Sequence, residues 1–133
     1  MSIPTRRADT ATIADRIAEP VAGKRPADAL RHFIQLNHNL ATEHDEVRFA
    51  LTIAEPASTG VKYWDAAIAG LVEHRLREEG LPVPSWTGDP ARTLRKSWTL
   101  DAGCHVVPVA RDRVPQAFLD RNVLIDWETL ESY

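Results

Sequence analysis

The sequence predicts an all-α fold: a small helical bundle wrapped by a proline-rich C-terminal segment with short helices. Three observations favour this class. Residues 61–80 carry apolar side chains at helical spacing, namely Trp64, Ile68, Leu71, Val72 and Leu76. Strand patterns are too few and too short for a sheet with a hydrophobic face. After Gly80 the chain becomes rich in proline, and its segments are short.

The helix over residues 61–80 is the element around which the other segments are organised. Glu73 and Arg77 stand four residues apart, in the favourable order for a helical ion pair. Gly80 follows a charged last turn as a C-cap, and Pro82 prevents the helix from continuing. Because a helix cannot bury its apolar stripe alone, other parts of the chain must cover it.

The first residues are predicted to form an N-terminal arm, residues 1–24, that contains a short helix. Thr10 is the expected N-cap of this helix, and Pro20 and Gly23 are expected to end it. Residues 25–133 are predicted to form a single helical domain.

Two more helices are predicted between the arm and the organising helix. The first begins at Pro26, a residue suited to the first helical turn, and has a broad apolar side through Leu40. The second covers residues 45–54. Its residues leave little polar surface, so we expect this helix to be central.

Short elements are predicted after residue 80. Asp89 is the expected N-cap of a short helix over residues 90–96, and another short helix covers residues 115–121. Residues 123–125 are expected to be extended, and Asp126 caps a final turn or two. These elements are expected to dock onto the bundle.

Composition indicates a single cytoplasmic domain. The chain has 133 residues and a net charge of −3, which does not favour a broad, non-specific nucleic-acid binder. Cys104 is the only cysteine, so an internal disulfide is excluded. No apolar run follows Arg6 and Arg7, and no stretch approaches the roughly 20 apolar residues of a membrane span. We therefore expect no membrane partner.

The sequence contains no strong catalytic or cofactor motif. It has neither a GxSxG elbow nor a Walker-type loop, and its six glycines are scattered singly. The spacing of the histidines is not typical of a metal site: His32, His38, His44, His74 and His105. Cys104 and His105 lie in an apolar segment, where a buried structural cysteine is expected. We therefore expect no enzyme, no metal and no cofactor.

One segment nevertheless resembles a catalytic motif. Arg31 and His38 lie seven residues apart on one flank of a predicted helix. This pattern is similar to the R-x(4–6)-H motif of the helical HEPN ribonucleases. The resemblance implies that the two side chains act on an RNA phosphate, with His38 as acid or base. A HEPN-like ribonuclease toxin is therefore one alternative function.

Tryptophans and arginines indicate where a partner could bind. Trp64, Trp86, Trp98 and Trp127 are the largest apolar anchors, and most are expected to pin the C-terminal segment onto the bundle. Trp and Arg are also enriched in protein interfaces. The predicted partner-binding residues are Trp86, Arg92, Arg95, Lys96, Trp98 and Trp127.

Basic residues near the N-terminus give a second alternative, a DNA-binding transcriptional regulator. Lys24, Arg25 and Arg31 could contact phosphates between and along two helices. Pro20 and Pro26 make the connection a poor match to a helix-turn-helix. A solvated basic face is the default interpretation.

Several phrases occur together between about residues 50 and 130: Trp64-Asp65-Ala66, Gly70-Leu71-Val72-Glu73-His74, Gly80-Leu81-Pro82-Val83-Pro84-Ser85-Trp86-Thr87 and Pro115-Gln116-Ala117-Phe118-Leu119-Asp120-Arg121-Asn122-Val123-Leu124-Ile125. In these the chain resembles a little-characterised actinobacterial helical family, found alone or behind a helix-turn-helix domain. Its settings resemble toxin–antitoxin operons, in some cases beside a nucleotidyltransferase-like partner. The resemblance implies a non-catalytic, antitoxin-like protein that binds and neutralises a toxin. It supplies no catalytic motif, and we expect no convincing N-terminal counterpart to the DNA-binding domain of the longer relatives.

Overall fold

The computed structural model describes residues 7–100 and 109–131. Its helices are α1 (Thr10–Ala22), α2 (Pro26–Thr42), α3 (Asp45–Ala50), α4 (Lys62–Glu78), α5 (Gln116–Leu119) and α6 (Trp127–Glu131). Single 3₁₀ turns cover Ser85–Gly88, Pro90–Arg92 and Arg111–Arg113. Strands β1 (Trp98–Thr99) and β2 (Val123–Leu124) pair in parallel, with Trp98 opposite Val123. The predicted all-α class is confirmed. Among the described residues, no helix is long and apolar enough to cross a membrane.

Helix α4 is the centre of the fold. The predicted stripe is buried, and so are the small residues on its other sides: Ala66, Ala67, Ala69 and Gly70. Small side chains let neighbouring elements approach α4 closely. At Gly70 an added Cβ would lie 2.8 Å from Cδ1 of Phe118, whose ring belongs to α5. The predicted Glu73–Arg77 pair forms, with Arg77 Nε 2.6 Å from Glu73 Oε2.

The prediction of a central helix over residues 45–54 is wrong. Helix α3 ends at Ala50, and the chain then turns, so that Ile53 is 59% exposed. A tertiary contact accounts for the turn. The backbone N–H and the hydroxyl of Thr10 both donate to the carbonyl of Leu51, each at 2.8 Å. This carbonyl therefore finds its partner in α1.

Helix α1 belongs to the core, which differs from the predicted arm. Ile13 and Ile17 are fully buried, and α1 packs along α2. The N-cap is Asp9 rather than Thr10, because the Asp9 carboxylate accepts from the Thr12 N–H at 2.9 Å. Pro20 lies inside the helix, since a proline in the last turn removes only one helical hydrogen bond.

The C-terminal third contains shorter elements than predicted. The helix expected over residues 90–96 is a single 3₁₀ turn, although Asp89 caps it as expected by accepting from the Ala91 N–H. The helix expected over residues 115–121 covers only Gln116–Leu119. The extended run at residue 123 is confirmed as β2. Cys104 and His105 lie outside the described residues.

Candidate partner-binding surface

An aromatic stack reaches the surface beside the start of α4. The rings of Tyr63 and Trp98 stack with centroids 4.5 Å apart and planes inclined by 28°. Trp98 also meets Trp64 edge-on at 5.7 Å, and Trp64 packs against the fully buried Phe33. Tyr63 is 39% exposed and Trp98 is half-buried. A continuous run of rings therefore joins the core to the surface and holds the outer pair rigidly.

Basic residues adjoin Trp98 in the chain. Arg95, Lys96 and Ser97 form an exposed loop immediately before Trp98. Arg111 approaches from the next turn of the chain, and its Nη2 donates to Ser97 Oγ at 3.0 Å. We use the name basic–aromatic surface for five residues: Tyr63, Arg95, Lys96, Trp98 and Arg111.

One residue holds both ends of the exposed loop. The side-chain amide of Asn122 donates to the carbonyl of Leu94 at 2.6 Å. The backbone carbonyl of Asn122 accepts from the Trp98 N–H at 2.9 Å. Asn122 has φ of 61°, a left-handed conformation that asparagine tolerates better than most residues. The loop is therefore fixed to the chain before β2 at both of its ends.

The cations of this surface have no carboxylate partner within the described part of the chain. Six exposed Lys or Arg side chains form no ion pair there: Arg16, Lys24, Lys62, Arg95, Lys96 and Arg111. Three of the six belong to the basic–aromatic surface, and Lys62 precedes Tyr63 in the chain. Among the described residues, three cations without an ion pair are therefore grouped at this surface.

Two of the predicted partner-binding residues lie in the interior instead. Trp86 is 8% exposed, and its Nε1 donates to the carbonyl of Thr52 at 2.9 Å. Arg92 is 6% exposed, lies over the Trp86 ring and donates to the carbonyl of Pro56 at 2.8 Å. Both side chains hold the loop before α4 in place, so they do not form part of a surface for a partner.

Trp127, another predicted partner-binding residue, lies at a different place. Its ring packs edge-on against His74 at 4.4 Å, and the guanidinium of Arg75 lies over it at 4.8 Å. Trp127 is half-buried in α6. It therefore attaches the C-terminal helix to α4. Of the predicted set, Arg95, Lys96 and Trp98 are the residues that lie together at the surface.

The pair predicted for the ribonuclease alternative lies on the outside of α2. Arg31 and His38 are both exposed, and seven residues of α-helix separate them by about 10 Å along the axis. Arg31 Nη1 lies 3.6 Å from Asp28 Oδ1. The structure does not gather the two side chains around a cleft, so this geometry gives the alternative no further support.

The residues predicted to contact DNA are partly neutralised by acidic neighbours. Arg25 contacts Glu19 at 3.1 Å and Asp28 at 3.5 Å, and Asp28 also pairs with Arg31. Lys24 lies in the short connection between α1 and α2, with φ of 57°. Exposed pairs of this kind are weak, but they reduce the positive potential of this face.

A pocket of about 490 Å³ lies beside the loop that precedes α4. Its lining includes Ser58, Asp65, Asp89 and Arg92. The Asp65 carboxylate is already satisfied, since it accepts from Ser58 Oγ at 2.5 Å and from the N–H and hydroxyl of Thr59 at 2.8 Å. These groups fold the loop. Within residues 7–100 and 109–131, no three His, Cys, Asp or Glu side chains are arranged to hold a metal.

The predicted partner-binding set contains Arg95, Lys96 and Trp98, whereas Tyr63, Arg111 and Asn122 join this candidate surface only through contacts in the structure. Tyr63 had one usable signal, because it is an aromatic residue outside the apolar stripe of its helix. Arg111 and Asn122 approach the loop only through tertiary folding, so spacing in the sequence gives no indication of them.

Comparison with known proteins adds no relative: no family model, no curated protein and no solved structure matches this chain.

Proposed function

We propose that this chain is a non-catalytic, antitoxin-like helical domain that binds and neutralises a partner protein. The observation that carries the proposal is the exposed Tyr63–Trp98 stack flanked by Arg95 and Lys96, which have no ion-pair partner among the described residues. Following the resemblance of residues 50–130, the partner is a toxin encoded beside this protein, of the nucleotidyltransferase-like kind in some settings.

The composition of this surface is that of a binding hot spot. Tyr, Trp and Arg dominate hot spots because they bring large contact areas and directional donors. The ring of Trp98 is already fixed between Tyr63 and Trp64, so binding does not have to immobilise it. A rigid anchor retains more of its contact energy as affinity than a mobile one does.

The first test is co-purification. The full chain carries an affinity tag and is expressed together with the product of the adjacent gene. We expect a stable complex, and we expect relief of any growth arrest that the neighbour causes alone. If the wild-type chain neither retains the neighbour's product nor relieves the arrest, the proposed function is wrong.

A matched pair of variants then tests the surface. Tyr63→Ala removes the exposed ring and is expected to cost about 2 kcal/mol of binding free energy, which is roughly thirtyfold in Kd. Ile53→Ala truncates a more exposed apolar side chain outside the surface and is expected to leave Kd within about threefold. Isothermal titration of the purified partner measures both. Equal losses in the two variants would show that binding uses another face.

A further inference from the structure

We infer that the loop Arg95–Ser97 is a preset cationic loop that binds an acidic segment of the partner protein. This inference deepens the proposed function and rests on it, since it names the chemistry that the partner offers. Two independent observations support it: the way in which the loop is fixed, and the distribution of charge around it.

The loop is held in one conformation from both sides. Asn122 holds Leu94 through its side chain and Trp98 through its backbone carbonyl. Arg111 adds a third attachment through Ser97 Oγ. The two cations between these attachments thus extend from a short, closed loop. Charges presented in this way lose less conformational freedom when a partner binds.

Charge indicates what the partner offers. Most exposed arginines elsewhere have a carboxylate within reach, as Arg25, Arg31, Arg77 and Arg113 do. Arg95, Lys96 and Arg111 have none in the part of the chain that the structure describes. The whole chain carries a net charge of −3, so this surface is a positive region on an acidic molecule. Such an arrangement attracts a local acidic segment and orients it.

The rings favour a protein segment over nucleic acid. A single-strand binder needs open aromatic faces on which bases can stack. Here Trp98 gives one face to Tyr63 and contacts Trp64 edge-on, so the surface does not offer a row of separate open rings on which successive bases could stack. The long phosphate backbone of a nucleic acid would also be repelled by the negative charge on the rest of this molecule. Carboxylates on a short segment avoid both difficulties.

The test uses fluorescence anisotropy with three labelled probes: a glutamate-rich peptide, the same peptide with glutamines, and single-stranded DNA of equal length. The full chain is expected to bind the glutamate peptide about tenfold more tightly than the glutamine peptide. A chain that binds neither peptide, or that binds DNA more tightly than the glutamate peptide through Arg95 and Lys96, overturns the inference.

Two double charge reversals identify the cations that matter. Arg95→Glu with Lys96→Glu is expected to weaken binding of the glutamate peptide at least about tenfold. Arg16→Glu with Lys24→Glu makes the same change of charge at two exposed cations outside the surface, and we expect an effect of less than about threefold. Equal losses would attribute binding to overall charge and would overturn the assignment to this loop.

Asn122→Gly tests the positioning role. Glycine accepts the left-handed backbone but lacks the amide that holds Leu94. Peptide binding is expected to weaken several-fold, while the dependence of Kd on salt keeps the wild-type slope because no charge is lost. In the Arg95→Glu, Lys96→Glu variant that slope should flatten. If the Asn122→Gly variant binds the glutamate peptide with wild-type affinity, Asn122 does not position the loop for binding.

Failure of this inference is distinguishable from failure of the proposed function. If the neighbour's product binds and depends on Tyr63 but not on Arg95 and Lys96, the partner-binding function stands and the acidic-segment inference falls. If the peptide binds through the loop but the neighbour's product does not co-purify, the proposed antitoxin-like role falls.

Discussion

The three long helices and the C-terminal third are held together by different interactions. Helices α1, α2 and α4 bury continuous apolar surface, for example at Ile17, Phe33 and Leu71, which are fully buried. The C-terminal third has short elements. It also contributes apolar side chains to the core, such as Phe118 and Val123, but it adds a set of buried arginines that the long helices α1 and α2 do not have. Arg92 donates to the carbonyl of Pro56 in the loop before α4 and to that of Asp65 in α4. Arg121 pairs with Glu73 of α4 and also donates to the carbonyls of Thr87 and Ala117.

This difference shows how a chain with little regular structure can still be rigid. Short helices and two-residue strands satisfy few of their own backbone carbonyls, so other donors must supply the missing hydrogen bonds. Arginine suits this task because its planar guanidinium offers several donors in fixed directions. Four of the five residues of the basic–aromatic surface belong to this second region, and Tyr63 belongs to α4. The position of the loop before Trp98 therefore depends on specific hydrogen bonds as well as on packed rings.

The largest expected effect concerns the apolar contact that joins the two regions. Phe118→Ala removes a fully buried ring from the face of α4 at Gly70 and is expected to destabilise the domain by about 3 to 5 kcal/mol. Gly70→Ala places a Cβ against that ring. In the Phe118→Ala background there is room for this methyl group. Gly70→Ala is then expected to stabilise the domain by about 1 kcal/mol, because alanine favours a helix more than glycine does. Urea unfolding of the four proteins measures the coupling, and strict additivity would contradict this close contact.

The next effect compares two arginines that share one carboxylate. Arg121 is buried and contacts Glu73 at 2.7 Å, whereas Arg77 contacts it at 2.6 Å from the exposed side of α4. Arg121→Ala leaves buried carbonyls without donors and is expected to cost about 3 kcal/mol. Arg77→Ala should cost less than about 1 kcal/mol. Equal costs in urea unfolding would mean that the C-terminal third does not depend on its buried arginine.

The long helices could be predicted because periodicity follows directly from burial of one side. The stripe of α4 and the proline start of α2 are both local signals, and both are confirmed. The length of α3 could not be predicted, because Ile53 and Ala54 continue an apolar run that a hydrogen bond from α1 interrupts. The burial of Arg92 and Arg121 could not be predicted from the sequence either, because an arginine is normally expected to be exposed to solvent.

The candidate surface was only partly predictable for the same reason. Trp98, Arg95 and Lys96 are close in sequence, so a local argument identifies them together. Trp86 and Arg92 are of the same residue types as Trp98 and Arg95. They are nevertheless buried, because their side chains donate hydrogen bonds to carbonyls of the loop before α4. Residue type therefore indicates what a side chain can do, and only the tertiary contacts show whether a partner can reach it.

The smallest expected effect is a pH dependence in the contact between α4 and α6. His74 packs against Trp127, and its Nε2 is buried without a hydrogen-bond partner among the described residues. Burial lowers the pKa of His74, against the opposing attraction of Glu78. The unfolded chain, with a histidine pKa near 6.5, therefore binds this proton more readily than the folded chain does. Stability from this group is present above about pH 6.5 and is lost as pH falls towards the folded pKa.

His74→Leu removes the titrating group while keeping an apolar side chain beside Trp127, so the loss of stability between about pH 7 and pH 5 should be smaller than in the wild-type chain. The carboxyl group of Glu73 does not account for a change of stability between about pH 7 and pH 5. Burial raises the pKa of Glu73, but hydrogen bonds from Arg77 and Arg121 outweigh it, so its pKa lies below the ordinary value of 4.5. Urea unfolding at several pH values gives the comparison. Parallel curves for the two proteins would show that α6 docks on α4 without a contribution from the neutral imidazole.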